Sequence, residues 1–123
     1  MTRLLFVCMG NICRSPIAEG IVRERLRTRG LAAHISTDSA GTHDYHVGRA
    51  PDRRAQRLMA GEGIDISDLR ARQVDGFDFE FFDHILAMDE GNYAWLRAEA
   101  PSAHRDKIQP MLSHAAAPGV DWV

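Results

Sequence analysis

The apolar run Leu4-Leu5-Phe6-Val7 ends on Cys8, and a few residues later the chain reaches Ser15-Pro16. Four continuous apolar residues stopped by Gly10 predict a buried strand, being too few for a helix. The Ser-Pro pair predicts a helix start, with serine as cap and proline at the first helical position. Ala18, Ile21, Val22 and Leu26 then recur at helical spacing, with Arg23, Glu24, Arg27 and Arg29 elsewhere around the cylinder, and Gly30 closes it. A strand, a short loop and a helix in direct succession make the first half of a parallel α/β unit.

The rest of the chain extends that pattern. His34 to Ala40 predicts a second strand, the stretch GTHDYHVGRAPD a long loop, and Pro51-Asp52 a second helix running to about Ala60 before Gly61 and Gly63. After the polar stretch DISDLRARQVDG, the segment DFEFFD is expected to feed aromatic side chains into the core, and His84 to Met88 forms another buried strand. A helix over Gly91 to Ala100 ends at Pro101, and KIQPML supplies a fourth strand, weakened by Pro110. The expectation is one α/β domain over residues 1–123, an open parallel sheet flanked by helices with its ligand at the carboxyl ends of the strands. Cys8 and the loop after it lie at such an end.

Composition narrows the function classes. A chain of 123 residues can bury a core without staples, and its two cysteines, with no export signal, are expected to be thiols in a cytoplasmic protein. Leu4–Val7 is too short for a signal peptide or a membrane span. A net charge of −2 recruits neither nucleic acid nor an acidic membrane. Residues 1–62 nevertheless carry ten arginines against six acids, while residues 63–123 carry five basic and eleven acidic groups, so the half with the loop is electropositive and suits an anionic substrate.

The loop excludes two phosphate-binding patterns, having neither Gly-x4-Gly-Lys-Ser/Thr nor Gly-x-Gly-x-x-Gly. Instead, Met9, Gly10, Asn11, Ile12 and Cys13, between Cys8 and Arg14, can wrap backbone N–H groups around one phosphoryl group, with the following helix dipole beneath it. Gly10 and Asn11 tolerate the backbone angles of so tight a cradle. Arg14 offers a planar fork for two phosphoryl oxygens. Such an anion site also favours the thiolate of a cysteine within it, which would set Cys8 under the phosphorus for in-line attack, with Ser15 hydrogen-bonded to the sulfur.

The stretch VCMGNICRSPIAEG resembles the signature of the low-molecular-weight protein tyrosine phosphatases. DSAGT at residues 38–42, VGRAPD at 47–52, ARQ at 71–73 and ILAMDE at 85–90 recur in that family in the same order, so the resemblance covers Leu4 to about Leu112. It implies a four-stranded parallel sheet flanked by helices, and hydrolysis of phosphotyrosine through a cysteinyl-phosphate, without metal or other cofactor. By matching position Cys8 is the nucleophile and Arg14 the phosphate clamp, while Asn11, Ser15 and Ser39 belong to the network that holds the loop. Tyr45 matches an aromatic wall of the cleft, with Met9 and Ile12 on its rim. The implied partner is a phosphotyrosine protein, a bacterial tyrosine autokinase being one candidate class, and the protein is expected to act as a monomer.

Two departures from the family pattern stand out. Leu69 occupies a position where many relatives carry a histidine of the loop network. Relatives also continue into an Asp-Pro-Tyr-Tyr segment that carries the general acid and then a last helix; Asp121 lacks that context and is not assigned the role. The expectation is either a shortened chain or one without that donor. Cys13 is a candidate for a reversible disulfide with Cys8 after peroxide attack. His43 and His46 have a metal-like spacing but lack a further ligand and read as solvated loop residues. Asp89 reads as structural support.

Three alternatives stand beside a phosphotyrosine phosphatase. Arsenate reduction on this loop uses further cysteines, of which there are none. A phosphoarginine phosphatase tends to carry threonine where this chain has Ile12. A phosphotyrosine-binding module without turnover is the non-enzymatic reading.

Overall fold

A computed structural model describes residues 1–111. Four strands, β1 (Thr2–Cys8), β2 (Ile35–Gly41), β3 (His84–Ala87) and β4 (Ile108–Pro110), form one parallel sheet in the order β2-β1-β3-β4. Helices α1 (Arg14–Thr28), α2 (Arg53–Gly61), α3 (Gly76–Phe81) and α4 (Glu90–Glu99) connect them, and a 3₁₀ turn over Ser102–Lys107 leads into β4. The expected fold class is the observed one.

Alternation along β1 decides which helices lie on which face. Leu5 and Val7 point into a core with Phe79 of α3, Leu96 of α4 and Ala100 just after it. Phe6 and Cys8 point the other way, onto Ala18 and Val22 of α1. Leu5, Phe6 and Val7 are all buried, and side chains of that size contribute roughly 1.5–3 kcal/mol each on burial. A third cluster joins Ala55 and Met59 of α2 to Ile66, with Ile17, Ile21 and Leu69 packed against it. Register brings Cys8 beside Gly41 at the carboxyl edge, and Val7 beside Ala87.

Several local expectations shift. The first helix begins at Arg14 with Cys13 as its cap, so Ser15 and Pro16 lie inside the first turn. DFEFFD divides its aromatics. Phe79 and Phe82 are buried, but Phe77 and Phe81 are exposed and stack at 5.5 Å between centroids. The short helix α3 was not expected. It starts with a reciprocal capping box between Asp75 and Asp78. The fourth strand keeps only three residues, Pro110 sitting at its end. Asp121 and the rest of the chain's end lie outside the described residues.

Candidate active site

The loop between β1 and α1 is held at its middle by Asn11. This residue is buried and adopts φ 58°, a left-handed backbone that asparagine tolerates better than most side chains. Its backbone N–H donates to Cys8 Sγ at 3.3 Å, and its Nδ2 donates to Ser15 Oγ at 2.9 Å. Its Oδ1 accepts the backbone N–H of Arg72 at 3.0 Å. One side chain therefore ties the cysteine, the helix and a distant segment together. Gly10 does not take a positive φ; its smallness matters because a Cβ there would lie 2.9 Å from His46 Cδ2.

Arg72 extends the network. Its guanidinium grips both oxygens of the buried Asp78, at 2.9 and 3.1 Å, and reaches Asp38 Oδ2 on β2 at 3.1 Å. Burial works against its charge, but the hydrogen bonds and charges of Asp78 and Asp38 more than offset this and raise its pKa further. Sequence reasoning passed over Arg72, because its partners lie on separate segments that no periodicity links. Leu69 packs into the α1–α2 cluster instead of joining this network.

Cys8 is buried and its Sγ lies 3.0 Å from Ser15 Oγ. The sulfur thus has a hydroxyl and a backbone N–H beside it, the partners that a thiolate accepts from. At the head of α1, Cys13 makes no side-chain capping bond and the first turn carries no acid, so the helix presents its N–H groups and its positive end to the loop. Cys13 itself is exposed. Arg14 is half-buried and pairs with Asp89 Oδ2 at 3.0 Å. Asp89 also caps α4, its Oδ1 accepting the Asn92 N–H at 2.7 Å. Asp89 therefore supports α4 and bears directly on the arginine.

The surrounding chain leaves the loop little freedom. Thr42 and His43 donate backbone N–H groups to the carbonyls of Cys8 and Met9 at 2.9 and 3.1 Å, and Asp52, the cap of α2, donates to Ile12 at 2.7 Å. Gly41 is obligatory: a Cβ there would lie 2.6 Å from the Met9 carbonyl. Met9 and Tyr45 are exposed at the mouth, and Tyr45 stacks on His43 with centroids 5.2 Å apart. Ile12 is half-buried. His43 Nδ1 lies 2.7 Å from Thr42 Oγ1.

Ser39 bonds to α1, where the resemblance implied the loop network. Its hydroxyl donates to Glu19 Oε1 of α1 at 2.7 Å rather than to the loop. Glu19 is itself buried, and burial raises its pKa, with the Ser39 hydrogen bond working partly against that. Glu19 was also missed, although its position on the buried stripe Ser15, Ala18, Glu19 was a readable signal.

Chemically, the arrangement can receive one tetrahedral dianion: helix N–H groups below, a guanidinium at one side and a hydrogen-bonded sulfur at the centre. Comparison with known proteins agrees. The family model described as low molecular weight phosphotyrosine protein phosphatase matches residues 3–120. The low molecular weight protein-tyrosine-phosphatase YfkJ of Bacillus subtilis is 41% identical over 114 residues, which are 93% of this chain and 73% of that protein. The low molecular weight phosphotyrosine protein phosphatase of Schizosaccharomyces pombe is 41% identical over 122 residues, 98% of this chain and 77% of that protein. The crystal structure of YfkJ superposes with a TM-score of 0.95 at 39% identity, covering 100% of this chain and 77% of that one. A product-state mimic of a protein tyrosine phosphatase from Entamoeba histolytica gives 0.95 at 36% identity, covering 100% and 78%. No described helix is long and apolar enough to cross a membrane.

Proposed function

The chain belongs to the low molecular weight phosphotyrosine protein phosphatase family, and from that premise we propose that it hydrolyses phosphotyrosine in proteins through Cys8. The observation that carries this assignment is the sulfur of Cys8, buried at the centre of the loop within 3.0 Å of Ser15 Oγ and 3.3 Å of the Asn11 N–H. Cys8 Sγ attacks the phosphorus while the P–O bond to the tyrosyl ring breaks; the oxygen leaves with the bonding pair and takes up a proton. Water then attacks the phosphorus and gives up a proton, the S–P bond breaks with its electron pair going to sulfur, and the thiolate is regenerated as inorganic phosphate leaves. Arg14 and the N–H groups of the loop hold the equatorial oxygens, where charge accumulates in each step. Ser15 steadies the sulfur as it leaves. Met9, Ile12 and Tyr45 flank the aryl ring, and Asn11 holds the loop in shape. The partners of this reaction are phosphotyrosine proteins, a bacterial tyrosine autokinase among the candidates.

The direct test is acid quench during turnover of a phosphorus-labelled aryl phosphate. Label should be trapped on Cys8, and Cys8→Ser should show neither label nor turnover. Turnover that persists in Cys8→Ser would overturn the covalent route.

A further inference from the structure

Tyr45 is 67% exposed, and among the described residues its ring meets one aromatic neighbour, His43, with the planes 24° from parallel. An exposed tyrosine held by nothing else samples several rotamers, and a wall that must first be ordered contributes little to binding. The stack takes one face of the ring and leaves the other open to a substrate. What fixes Tyr45 is therefore whatever fixes His43.

His43 is tied to the phosphate loop and to the sheet. Its Nδ1 lies 2.7 Å from Oγ1 of Thr42, a residue only 3% exposed, so a buried hydroxyl holds the imidazole in one orientation. Its backbone N–H donates to the Met9 carbonyl at 3.1 Å, and that of Thr42 donates to the Cys8 carbonyl at 2.9 Å. Gln73 Nε2 donates to the Thr42 carbonyl at 3.2 Å and fastens the same turn to the segment behind it. Just past Tyr45, the His46 ring lies against the loop: a Cβ on Gly10 would stand 2.9 Å from its Cδ2. Tyr45 is thus carried between two histidines moored to the phosphate loop. Neither is the solvated residue that the sequence suggests, for both are half-buried.

We propose that His43 is a positioning residue for the aryl group of the substrate: held by Thr42, it holds the Tyr45 ring beside the phosphate loop and so gives the site its preference for aryl over alkyl phosphates. The proposal rests on the phosphatase reading and assigns part of its selectivity to a side chain that acts through Tyr45 and touches neither the phosphate nor the reacting atoms.

The test is equilibrium binding of two non-hydrolysable anions, phenylphosphonate and methylphosphonate, which share a head group and differ in the ring. The parent protein should bind the phenyl compound more tightly. His43→Asn keeps a polar atom for Thr42 but removes the imidazole; the phenyl-to-methyl affinity ratio should fall about fivefold, the size of one lost aromatic stack, while methylphosphonate binds as before. His43→Phe restores a ring without the Thr42 bond and should recover most of the ratio. In a Tyr45→Ala background, His43→Asn should change the ratio no further, because its effect passes through that ring. A ratio unchanged by His43→Asn, one left equally low by His43→Phe, or the same loss without Tyr45 would each overturn the positioning role. So would an equal fall in both affinities, which would mean that the loop itself had moved. If the parent binds neither phosphonate, the phosphatase reading falls and the positioning role with it.

Discussion

Arg14 and Asp89 face each other at 3.0 Å across the top of the sheet, and the same carboxylate caps α4 through the Asn92 N–H at 2.7 Å. The two duties can be separated. Asparagine caps a helix about as well as aspartate, so Asp89→Asn should keep the fold while losing the charge that orients the guanidinium; Asp89→Ala should lose about 1 kcal/mol of stability as well. Both should lower kcat/KM for aryl phosphates by about tenfold, since the pair is partly solvated and orienting rather than reactive. Urea melts alongside steady-state kinetics check this. Equal stability of the two variants would remove the cap, and unchanged kinetics would remove the orienting role.

Arg14→Lys should reduce kcat/KM by at least about 100-fold, because an ammonium cannot reproduce a two-pronged grip on a phosphoryl group. Phosphate inhibition constants, measured beside turnover, should weaken in the same variant. Near-normal values in both measurements would mean that the clamp lies elsewhere.

The left-handed backbone of Asn11 allows its backbone and side-chain contributions to be told apart. Asn11→Ala places a Cβ-bearing residue without a local hydrogen bond at φ 58° and also strips partners from Ser15 and the Arg72 N–H, so a loss of about 2–4 kcal/mol is expected. Asn11→Gly relieves the backbone and should lose less. Both should turn over aryl phosphates at least about tenfold more slowly, for the loop no longer holds its shape. Identical melts for the two variants would show that the backbone conformation costs nothing.

Glu19 sets a pH dependence of stability. Its carboxyl pKa is raised by burial, so the native state binds the proton more tightly than the unfolded chain. The contribution is complete below the unfolded carboxylate value and is lost as pH rises through the folded one. Glu19→Gln keeps an acceptor for Ser39 but cannot ionise, and its stability relative to the parent should therefore grow from acid to neutral pH. Denaturant melts at several pH values read this directly, and a constant difference would dismiss the effect.

Peroxide should inactivate the protein, and a thiol reductant should restore it. In Cys13→Ser the loss should become largely irreversible, because Cys8 would continue to higher oxidation states without a nearby thiol to intercept it. Equal recovery in both proteins would take Cys13 out of that role.

What was legible in the sequence was local. Leu4–Val7 reads as a strand because it is short, apolar and stopped by glycine. Cys8 and Arg14 stand out by their spacing between that strand and a helix. Ser15 shows where local reading stops: beside a proline it looks like a cap, yet its hydroxyl serves Cys8 and Asn11, a demand that exists only in three dimensions. Helix α3 is six residues long, too short for periodicity to register, and its capping box uses aspartate at the third position rather than glutamate. Arg72 is legible only once Asp38, 34 residues earlier in the chain, has been brought beside it by the sheet.

The anchoring of Asn11 by Arg72 also orders events in time. The loop is encoded within the first fifteen residues, but the N–H that donates to Asn11 Oδ1 and anchors it belongs to Arg72, and the carboxylate that fixes Arg72 belongs to Asp78. A chain emerging from a ribosome therefore carries its cysteine for more than sixty residues before the groups that shape its surroundings exist. The reactive centre is written first and assembled late, so a nascent or partly folded chain holds the sulfur without the cradle that gives it a task.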